Sequence, residues 1–141
     1  MYKIEIISVG KVKEKWLKEA LGEYEKRLQK ELQITWTLTK NENSLLELLE
    51  KTNNFLLLDV QGQEYSSQEF SSLLFEELET GGSRLSLAIG GPKGVPLTIK
   101  RKAKKSLSLS KMTFTHQMAR LLVAEQIYRA FEIKNNSNYH K

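Results

Sequence analysis

The chain of 141 residues has the length of one domain with one hydrophobic core. Its 40% hydrophobic and 28% charged residues are the balance of a folded protein, and no apolar run approaches the roughly 20 residues that cross a membrane. Without cysteine it has no disulfide, thiolate nucleophile or cysteine-ligated zinc, and its two histidines lack metal-site spacing. We therefore predict a single domain over residues 1–141, without a metal, in keeping with a cytoplasmic protein.

The net charge of +5 is unevenly distributed along the chain. Residues 1–91 carry 11 Lys and Arg against 15 Asp and Glu, whereas residues 92–141 carry 11 against 2. A basic C-terminal third on an acidic body suggests an anionic partner, with nucleic acid as the leading candidate. A solvated lysine-rich helix that serves solubility explains the charge equally well.

Apolar residues alternate between strand-like and helical spacing along the chain. In the first part of the chain, this predicts a strand at 3–9, a helix at 12–28, a strand at 33–39 and a short helix capped by Asn43 or Ser44. A strand at 55–60 and a helix capped by Ser66 or Ser67 follow. The last elements are a strand at 85–89, a basic helix at 100–105, a strand at 107–109 and a helix at 116–133. Glu69 completes a capping box, and Gly81-Gly82 ends that helix. Parallel strands need crossovers, so we predict an α/β fold with a parallel sheet flanked by helices.

Three predicted strand ends could form a ligand site, because open parallel sheets bind ligands beyond the carboxyl ends of their strands. These are the segments 58–62, 89–94 and 109–114, and the second contains Gly90-Gly91-Pro92-Lys93-Gly94. Glycine allows the backbone to approach a flat ligand closely. The alternative is a tight turn without a ligand. The segment is neither a Walker loop nor a Gly-x-Gly-x-x-Gly helix opening, which disfavours a nucleotide triphosphatase or an ordinary dinucleotide enzyme.

The last predicted helix, at 116–133, is apolar around its whole circumference. Its apolar residues are Met118, Leu121, Leu122, Val123, Ala124, Ile127, Tyr128, Ala130, Phe131 and Ile133. They cannot all face one sheet, so we expect a second buried side. A symmetric homodimer would provide it, and the alternative is a central helix in a compact monomer.

Two features near the C-terminus have both a structural and a functional interpretation. Glu125 and Arg129 are four residues apart in the order that favours a helix ion pair, and Arg129 could equally contact RNA. The chain ends with Tyr139-His140-Lys141. Terminal residues are usually frayed, but these three offer base stacking, proton transfer and phosphate contact.

Several motifs together resemble the RlmH family of the SPOUT superfamily. They are Ile7-Ser8-Val9-Gly10-Lys11, Leu58-Asp59-Val60-Gln61-Gly62, the segment 89–94, Ser110-Lys111-Met112-Thr113-Phe114, Val123-Ala124-Glu125-Gln126-Ile127-Tyr128-Arg129-Ala130-Phe131 and the terminal Tyr139-His140-Lys141. The resemblance covers the whole chain and is densest in the last third. The sequence departs from the family pattern at Lys93, Thr115 and Asn138, which affects expected RNA contacts more than the cofactor loops.

The resemblance implies a fold and an activity that composition and spacing do not show. It implies a C-terminal trefoil knot, a homodimer, and methylation of N3 of a pseudouridine in 23S ribosomal RNA within the ribosome, namely pseudouridine-1915. The implied methyl donor is S-adenosylmethionine. A different class remains open beside the resemblance, namely a non-catalytic RNA-binding or assembly module that keeps a vestigial pocket.

The resemblance also implies which residues form the site. The implied cofactor-binding residues are Leu58, Gly90, Leu109, Ser110, Lys111, Met112, Thr113 and Phe114. The implied catalytic residues are His140, Tyr139 and Arg129, in an active site shared between two protomers. His140 would accept the N3 proton or only orient the base, and Tyr139 would stack on the target nucleotide. The basic segment 100–105 and Lys111 would contact RNA phosphates.

Overall fold

A computed structural model describes residues 1–91 and 93–137 as alternating strands and helices. Their bounds are β1 (Tyr2–Val9), α1 (Lys15–Leu28), β2 (Leu32–Thr39), α2 (Glu42–Lys51), β3 (Phe55–Glu64), α3 (Ser67–Thr80), β4 (Arg84–Ile89), α4 (Leu97–Lys102), β5 (Lys105–Ser108) and α5 (His116–Lys134). The sheet has the order β2-β1-β4-β3-β5, and each neighbouring pair is parallel. The predicted α/β class with a parallel sheet is confirmed. The trefoil knot stays a prediction.

Helices cover both faces of the sheet because successive strand residues point to opposite sides. In β1, Ile4 and Ile6 join the core under α1, α3 and α5, while Ile7 joins the core under α2 and α4. Strand β3 divides in the same way, with Leu56 on the first side and Leu57 on the second. The strands are therefore buried on both faces, as their nearly continuous apolar sequences indicate.

Helix α5 lies between α1 and α3 and also packs on the sheet. This packing within one chain buries Ala119, Val123, Ala124, Ile127, Ala130 and Phe131. Much of the apolar circumference seen in the sequence is thus covered by the chain itself. The homodimer stays a prediction, and it rests on a narrower surface than the sequence suggested.

Several predicted boundaries are wrong where a side chain or a backbone register decides them. Helix α2 is capped by Asn41, whose side chain accepts a hydrogen bond from the Ser44 amide at 2.8 Å, rather than by Asn43 or Ser44. The basic helix predicted at 100–105 is α4, and Lys105 already belongs to β5. The capping box of α3 is confirmed: Ser66 and Glu69 each accept a hydrogen bond from the other's amide.

Strand β3 does not stop near Val60 but bulges and continues to Glu64. Leu58 and Gln63 both lie opposite Leu107 of β5, so residues 59–62 are looped out between them. Gly62 makes the bulge possible, because a Cβ there would lie 2.7 Å from the carbonyl carbon and oxygen of Ser106. The bulge brings Asp59 and Gln61 beyond the end of the regular ladder.

We predict that Gly62→Ala destabilises the protein by about 1–3 kcal/mol, because the added methyl meets backbone atoms that cannot rotate away. Gly22→Ala is the matched control: its Cβ meets nothing within 4 Å in the interior of α1. That change should stabilise the protein by about 0.5–1 kcal/mol. Urea denaturation of both variants measures the difference, and equal effects would contradict the close approach at the bulge.

Candidate functional site

The carboxyl ends of β3, β4 and β5 meet around a cavity of about 830 Å³. Its walls come from three loops and from the first residues of α5. The lining residues are Leu58, Asp59, Val60, Gln61, Ile89, Gly90, Gly91, Lys93, Gly94, Val95, Lys100, Leu109, Ser110, Met112, Thr113, Phe114, Thr115, His116 and Ala119. The three segments singled out in the sequence therefore converge on one site. Its size falls within the range of about 300–1,000 Å³ that is usual for small-molecule sites.

Most of the cofactor residues implied by the resemblance line this cavity. Leu58, Gly90, Leu109, Ser110, Met112, Thr113 and Phe114 are on its walls. Lys111 is exposed and is not among the lining residues of the described chain, because its side chain leaves the loop on the solvent side.

The β3 bulge forms one wall and is tied to α4 by an ion pair. The Lys100 ammonium lies 3.0 Å from an oxygen of Asp59 and donates to the Gln61 side chain at 3.1 Å. The other Asp59 oxygen accepts a hydrogen bond from the backbone N–H of Gln61 at 3.1 Å. Because the Asp59 side chain is only 11% exposed, its charge needs these partners. The pair sets the position of the wall formed by residues 59–61.

The opposite wall is the loop between β5 and α5, which is held by its own hydroxyl groups. Ser108 donates to the Ser110 carbonyl at 2.8 Å, and the Ser110 hydroxyl accepts the Met112 amide at 3.0 Å. Thr115 caps α5 by accepting the Met118 amide at 3.2 Å. Local hydrogen bonds thus shape this loop while leaving other backbone groups of the loop available to a ligand.

Gly90 and Gly91 allow neighbouring elements to lie close to the cavity wall. A Cβ at Gly90 would lie 3.2 Å from the Leu58 carbonyl oxygen, so the absence of a side chain lets Gly90 approach β3 closely and donate its amide to that carbonyl at 3.2 Å. A Cβ at Gly91 would lie 2.4 Å from a carboxylate oxygen of Glu42. The first turn of α2 therefore packs directly against the glycine loop.

Sequence reasoning missed Arg120, a fully buried cation beside the cavity. Its guanidinium donates to the Ser8 hydroxyl at 3.1 Å and to the carbonyls of Val9 and Gly10 at 2.6 and 2.7 Å. It also donates to the Gln117 side chain at 3.3 Å. None of the described carboxylates forms an ion pair with it. Burial lowers the pKa of the Arg120 guanidinium, which nevertheless stays protonated near neutral pH.

His116 was also missed as a site residue, although it begins α5 and lines the cavity. Burial lowers the pKa of its imidazole below the ordinary value of 6.5. The Arg120 cation lowers this pKa further, and the Glu42 carboxylate acts in the opposite direction. The imidazole is therefore neutral at pH 7. Its position directly after a predicted ligand loop was the one signal that the sequence offered.

Of the three residues implied as catalytic, the structure describes Arg129 alone, and Arg129 is not among the residues that line this cavity. Arg129 pairs with Glu125, with its Nη2 3.2 Å from Oε2, so the predicted helix ion pair is confirmed. It lies thirteen residues after His116, which corresponds to about 20 Å along the helix axis. Tyr139 and His140 lie outside the described residues.

The residues that the structure describes include neither a metal site nor a membrane-spanning helix. Among residues 1–91 and 93–137, no three His, Cys, Asp or Glu side chains are grouped so that they could hold a metal ion. No helix within those ranges has the length and apolarity to cross a membrane.

A glycine-lined cavity beyond the carboxyl ends of parallel strands lies where open α/β proteins bind their ligands, and this chain is of that class. A family model described as "Predicted SPOUT methyltransferase" matches residues 2–140. The chain belongs to this SPOUT methyltransferase family.

Known relatives are similar along their whole length. "Ribosomal RNA large subunit methyltransferase H" of Protochlamydia amoebophila is 48% identical over 141 residues and all of both chains. The protein of the same name from Clostridium botulinum strain Okra is 41% identical, over 98% of this chain and 99% of the relative. A solved structure, of a probable methylase family protein from Haemophilus influenzae, has a TM-score of 0.50 at 11% identity. That match covers 99% of this chain and 70% of the other, and it indicates a similar fold.

We predict that Arg120→Met destabilises the protein by about 3 kcal/mol or more, because the buried hydroxyl of Ser8 and the carbonyls of Val9 and Gly10 lose their donor. Arg101→Met, at an exposed position of α4, should change stability by less than about 0.5 kcal/mol. Chemical denaturation compares the two variants. If Arg120→Met lost no more stability than Arg101→Met, the structural role of the Arg120 hydrogen bonds would be contradicted.

We predict that His116 makes the protein less stable in mild acid. Its pKa is lower in the folded chain, so the unfolded chain binds more protons as the pH falls through 6.5, and this contribution to stability is lost. The loss levels off below the folded-state pKa. His116→Gln should flatten the decline in unfolding free energy between pH 7 and pH 5. Parallel denaturation curves of variant and wild type across that range would contradict the assigned direction.

Proposed function

We propose that this protein transfers the methyl group of S-adenosylmethionine to large-subunit ribosomal RNA. The observation that carries the proposal is the convergence of three strand-end loops on one cavity in a chain of the SPOUT methyltransferase family. The RNA substrate comes from the names of relatives that match along their whole length. Transfer to RNA is also consistent with the basic C-terminal third.

The finer proposal, N3 of a pseudouridine in 23S ribosomal RNA and specifically pseudouridine-1915, is supported by the resemblance to the RlmH family alone. An enzyme with this substrate works where ribosomes are assembled and used, so we propose a cytoplasmic location for it.

The residues around the cavity fit S-adenosylmethionine. Leu58, Leu109 and Phe114 provide apolar surface for an adenine ring, while Gly90 leaves the backbone accessible. Hydroxyl and backbone groups of the 109–115 loop offer the polar contacts that such a ligand needs. When bound, the sulfonium supplies an activated methyl group. The chain itself would bind, orient and desolvate the reactants, which can contribute roughly 7–11 kcal/mol to lowering a barrier.

The proton on N3 of the base needs an acceptor, and two histidines are candidates. His140 is the acceptor that the resemblance implies, or it orients the base while solvent takes the proton. His116 is the histidine that the described structure places in the cavity, and its lowered pKa keeps the imidazole able to accept a proton at pH 7. Methyl transfer by His116→Asn and by His140→Ala, at equal cofactor occupancy, assigns the role.

We propose that two copies of the chain form the complete enzyme. The implied catalytic residue Arg129 is about 20 Å along α5 from His116, so a site that uses both groups needs a second chain. Phe114 and Met118, close to the start of α5, are 43% and 37% exposed and would suit such a contact.

The dimer predicts that Met118→Glu shifts the protein towards monomer, because a carboxylate would enter an apolar interface. Sedimentation velocity of wild type and variant at equal concentration measures the shift. Trp16→Glu, on the exposed side of α1, is the control and should leave the distribution unchanged. Monomeric wild type at micromolar concentration would contradict the proposal.

The central experiment combines cofactor binding with methyl transfer. Calorimetry should show S-adenosylmethionine binding by wild type, and large ribosomal subunits from cells that lack the protein should gain one methyl group. Mass mapping of the product locates it. Binding without transfer would support a non-catalytic RNA-binding module, and absence of binding would contradict the proposed function.

Lys100→Met tests whether the wall formed by the β3 bulge contributes to that binding. Loss of the ion pair with Asp59 should reduce the binding free energy of S-adenosylmethionine by about 0.5–1 kcal/mol. This corresponds to binding that is roughly twofold to fivefold weaker. Lys104→Met removes an exposed lysine that lies beside Phe55, at the start of β3 and far from the cavity. It should leave the Kd unchanged.

A further inference from the structure

We propose that lysines around the cavity mouth form the surface that binds ribosomal RNA phosphates, rather than the basic segment 100–105. We call this surface the basic rim, and it consists of Lys11, Lys13, Lys15, Lys93 and Lys111. The inference rests on the proposed function, since it names the part of the molecule that holds the RNA substrate.

All five lysines lie at the carboxyl edge of the sheet, where the cavity opens. Lys11 and Lys13 follow β1, and Lys15 begins α1. Lys93 follows β4, and Lys111 follows β5, each within a loop that lines the cavity. Loops after parallel strands share one edge, so residues far apart in the sequence surround one opening.

The loop that carries Lys11 and Lys13 is held against the start of α5. Arg120 binds the carbonyls of Val9 and Gly10, and the Gln117 side chain donates to the Lys11 carbonyl at 3.1 Å. His116, directly before Gln117, lines the cavity. These contacts give the lysines a defined position beside the cavity, although the lysine side chains themselves are exposed.

The rim lysines are available to an anionic partner. Within the described residues, none of the five forms an ion pair or donates a side-chain hydrogen bond, and all five are exposed. Three carboxylates lie near these lysines: Asp59 pairs with Lys100, Glu42 packs against Gly91, and Glu14 stands between Lys13 and Lys15 in the sequence. The five rim lysines outnumber these carboxylates, so the cavity mouth carries an excess of positive charge.

The segment 100–105, by contrast, does not gather its positive charges at the cavity mouth. Lys100 is paired within the cavity wall, and Lys102 donates to the Glu50 carbonyl. The Lys104 amide bonds the Phe55 carbonyl, and Lys105 lies opposite Leu56, both at the start of β3. The residues of this segment lie at two ends of the sheet and do not form one surface beside the cavity, and their contact with RNA stays a prediction.

Ribosomal RNA fits the rim better than an acidic protein, because in the proposed function a nucleotide of the RNA must enter the cavity. If a target base enters the mouth, the phosphates on either side of that nucleotide must pass within about one nucleotide of it. Exposed lysines act as flexible point charges, which suits a phosphate backbone more than the fixed carboxylates of a folded partner. Such binding depends strongly on salt.

The test compares two triple variants that remove equal charge. The rim variant is Lys11→Gln, Lys13→Gln and Lys15→Gln together. The control is Lys26→Gln, Lys30→Gln and Lys51→Gln, three exposed lysines at the other end of α1 and α2. Binding to large ribosomal subunits and to protein-free 23S ribosomal RNA is measured from low to high salt, together with S-adenosylmethionine affinity.

The rim variant should lose about two units from the slope of log K against log salt, because each lost phosphate contact removes about 0.7–0.9. Its KM for subunits should rise at least about tenfold, with kcat and cofactor affinity unchanged, and the control should resemble wild type. Equal slopes for both variants would overturn the proposal. A difference seen with whole subunits but absent with protein-free RNA would assign the rim to a ribosomal protein and overturn it too.

Two outcomes separate this inference from the proposed function. If the wild type binds RNA through the rim but transfers no methyl group, the proposed function is contradicted and the rim proposal is supported. Transfer by wild type and rim variant with the same KM would contradict the rim alone. Lys93→Gln with Lys111→Gln provides a second variant on different loops, and it should reduce the slope by about 1.5.

Discussion

A buried guanidinium joins the carboxyl end of the central strand β1 to the first turns of α5, and the site is arranged around this contact. Arg120 lies in the interior without a described carboxylate partner, and it is held by the Ser8 hydroxyl and two backbone carbonyls. A buried charge is tolerated only when its donors are satisfied, so this geometry is strongly constrained. The positions of the β1–α1 loop and the α5 N-terminus are therefore coupled.

That coupling explains how the cavity, His116 and the basic rim share one edge of a small domain. The start of α5 carries His116 into the cavity, where burial and, to a smaller extent, the Arg120 cation lower the pKa of its imidazole. The tethered loop carries Lys11 and Lys13 to the opening. The β3 bulge, held by Asp59 and Lys100, closes another side. Each wall depends on a contact between elements that are distant in the sequence.

Local patterns predicted much of the architecture and part of the site. The capping box at Ser66 and Glu69 needs contacts across only three residues, and it was correct. The strand ends at 58–62, 89–94 and 109–114 were identified because turn residues follow apolar runs, and parallel topology places them together. The β3 bulge was missed because the register between Gln63 and Leu107 involves residues 44 positions apart.

Hydrophobic periodicity and turn chemistry therefore determined the α/β class, the alternation of elements and the edge where a ligand would bind, since these depend on neighbours within one or two turns of chain. Tertiary structure alone decided which charges face that edge. Lys100 became a wall contact, Lys104 and Lys105 went to the far end of the sheet, and Arg120 became interior. The spacing of charged residues along the sequence does not show which partner each will contact. Their roles therefore follow only from their neighbours in three dimensions.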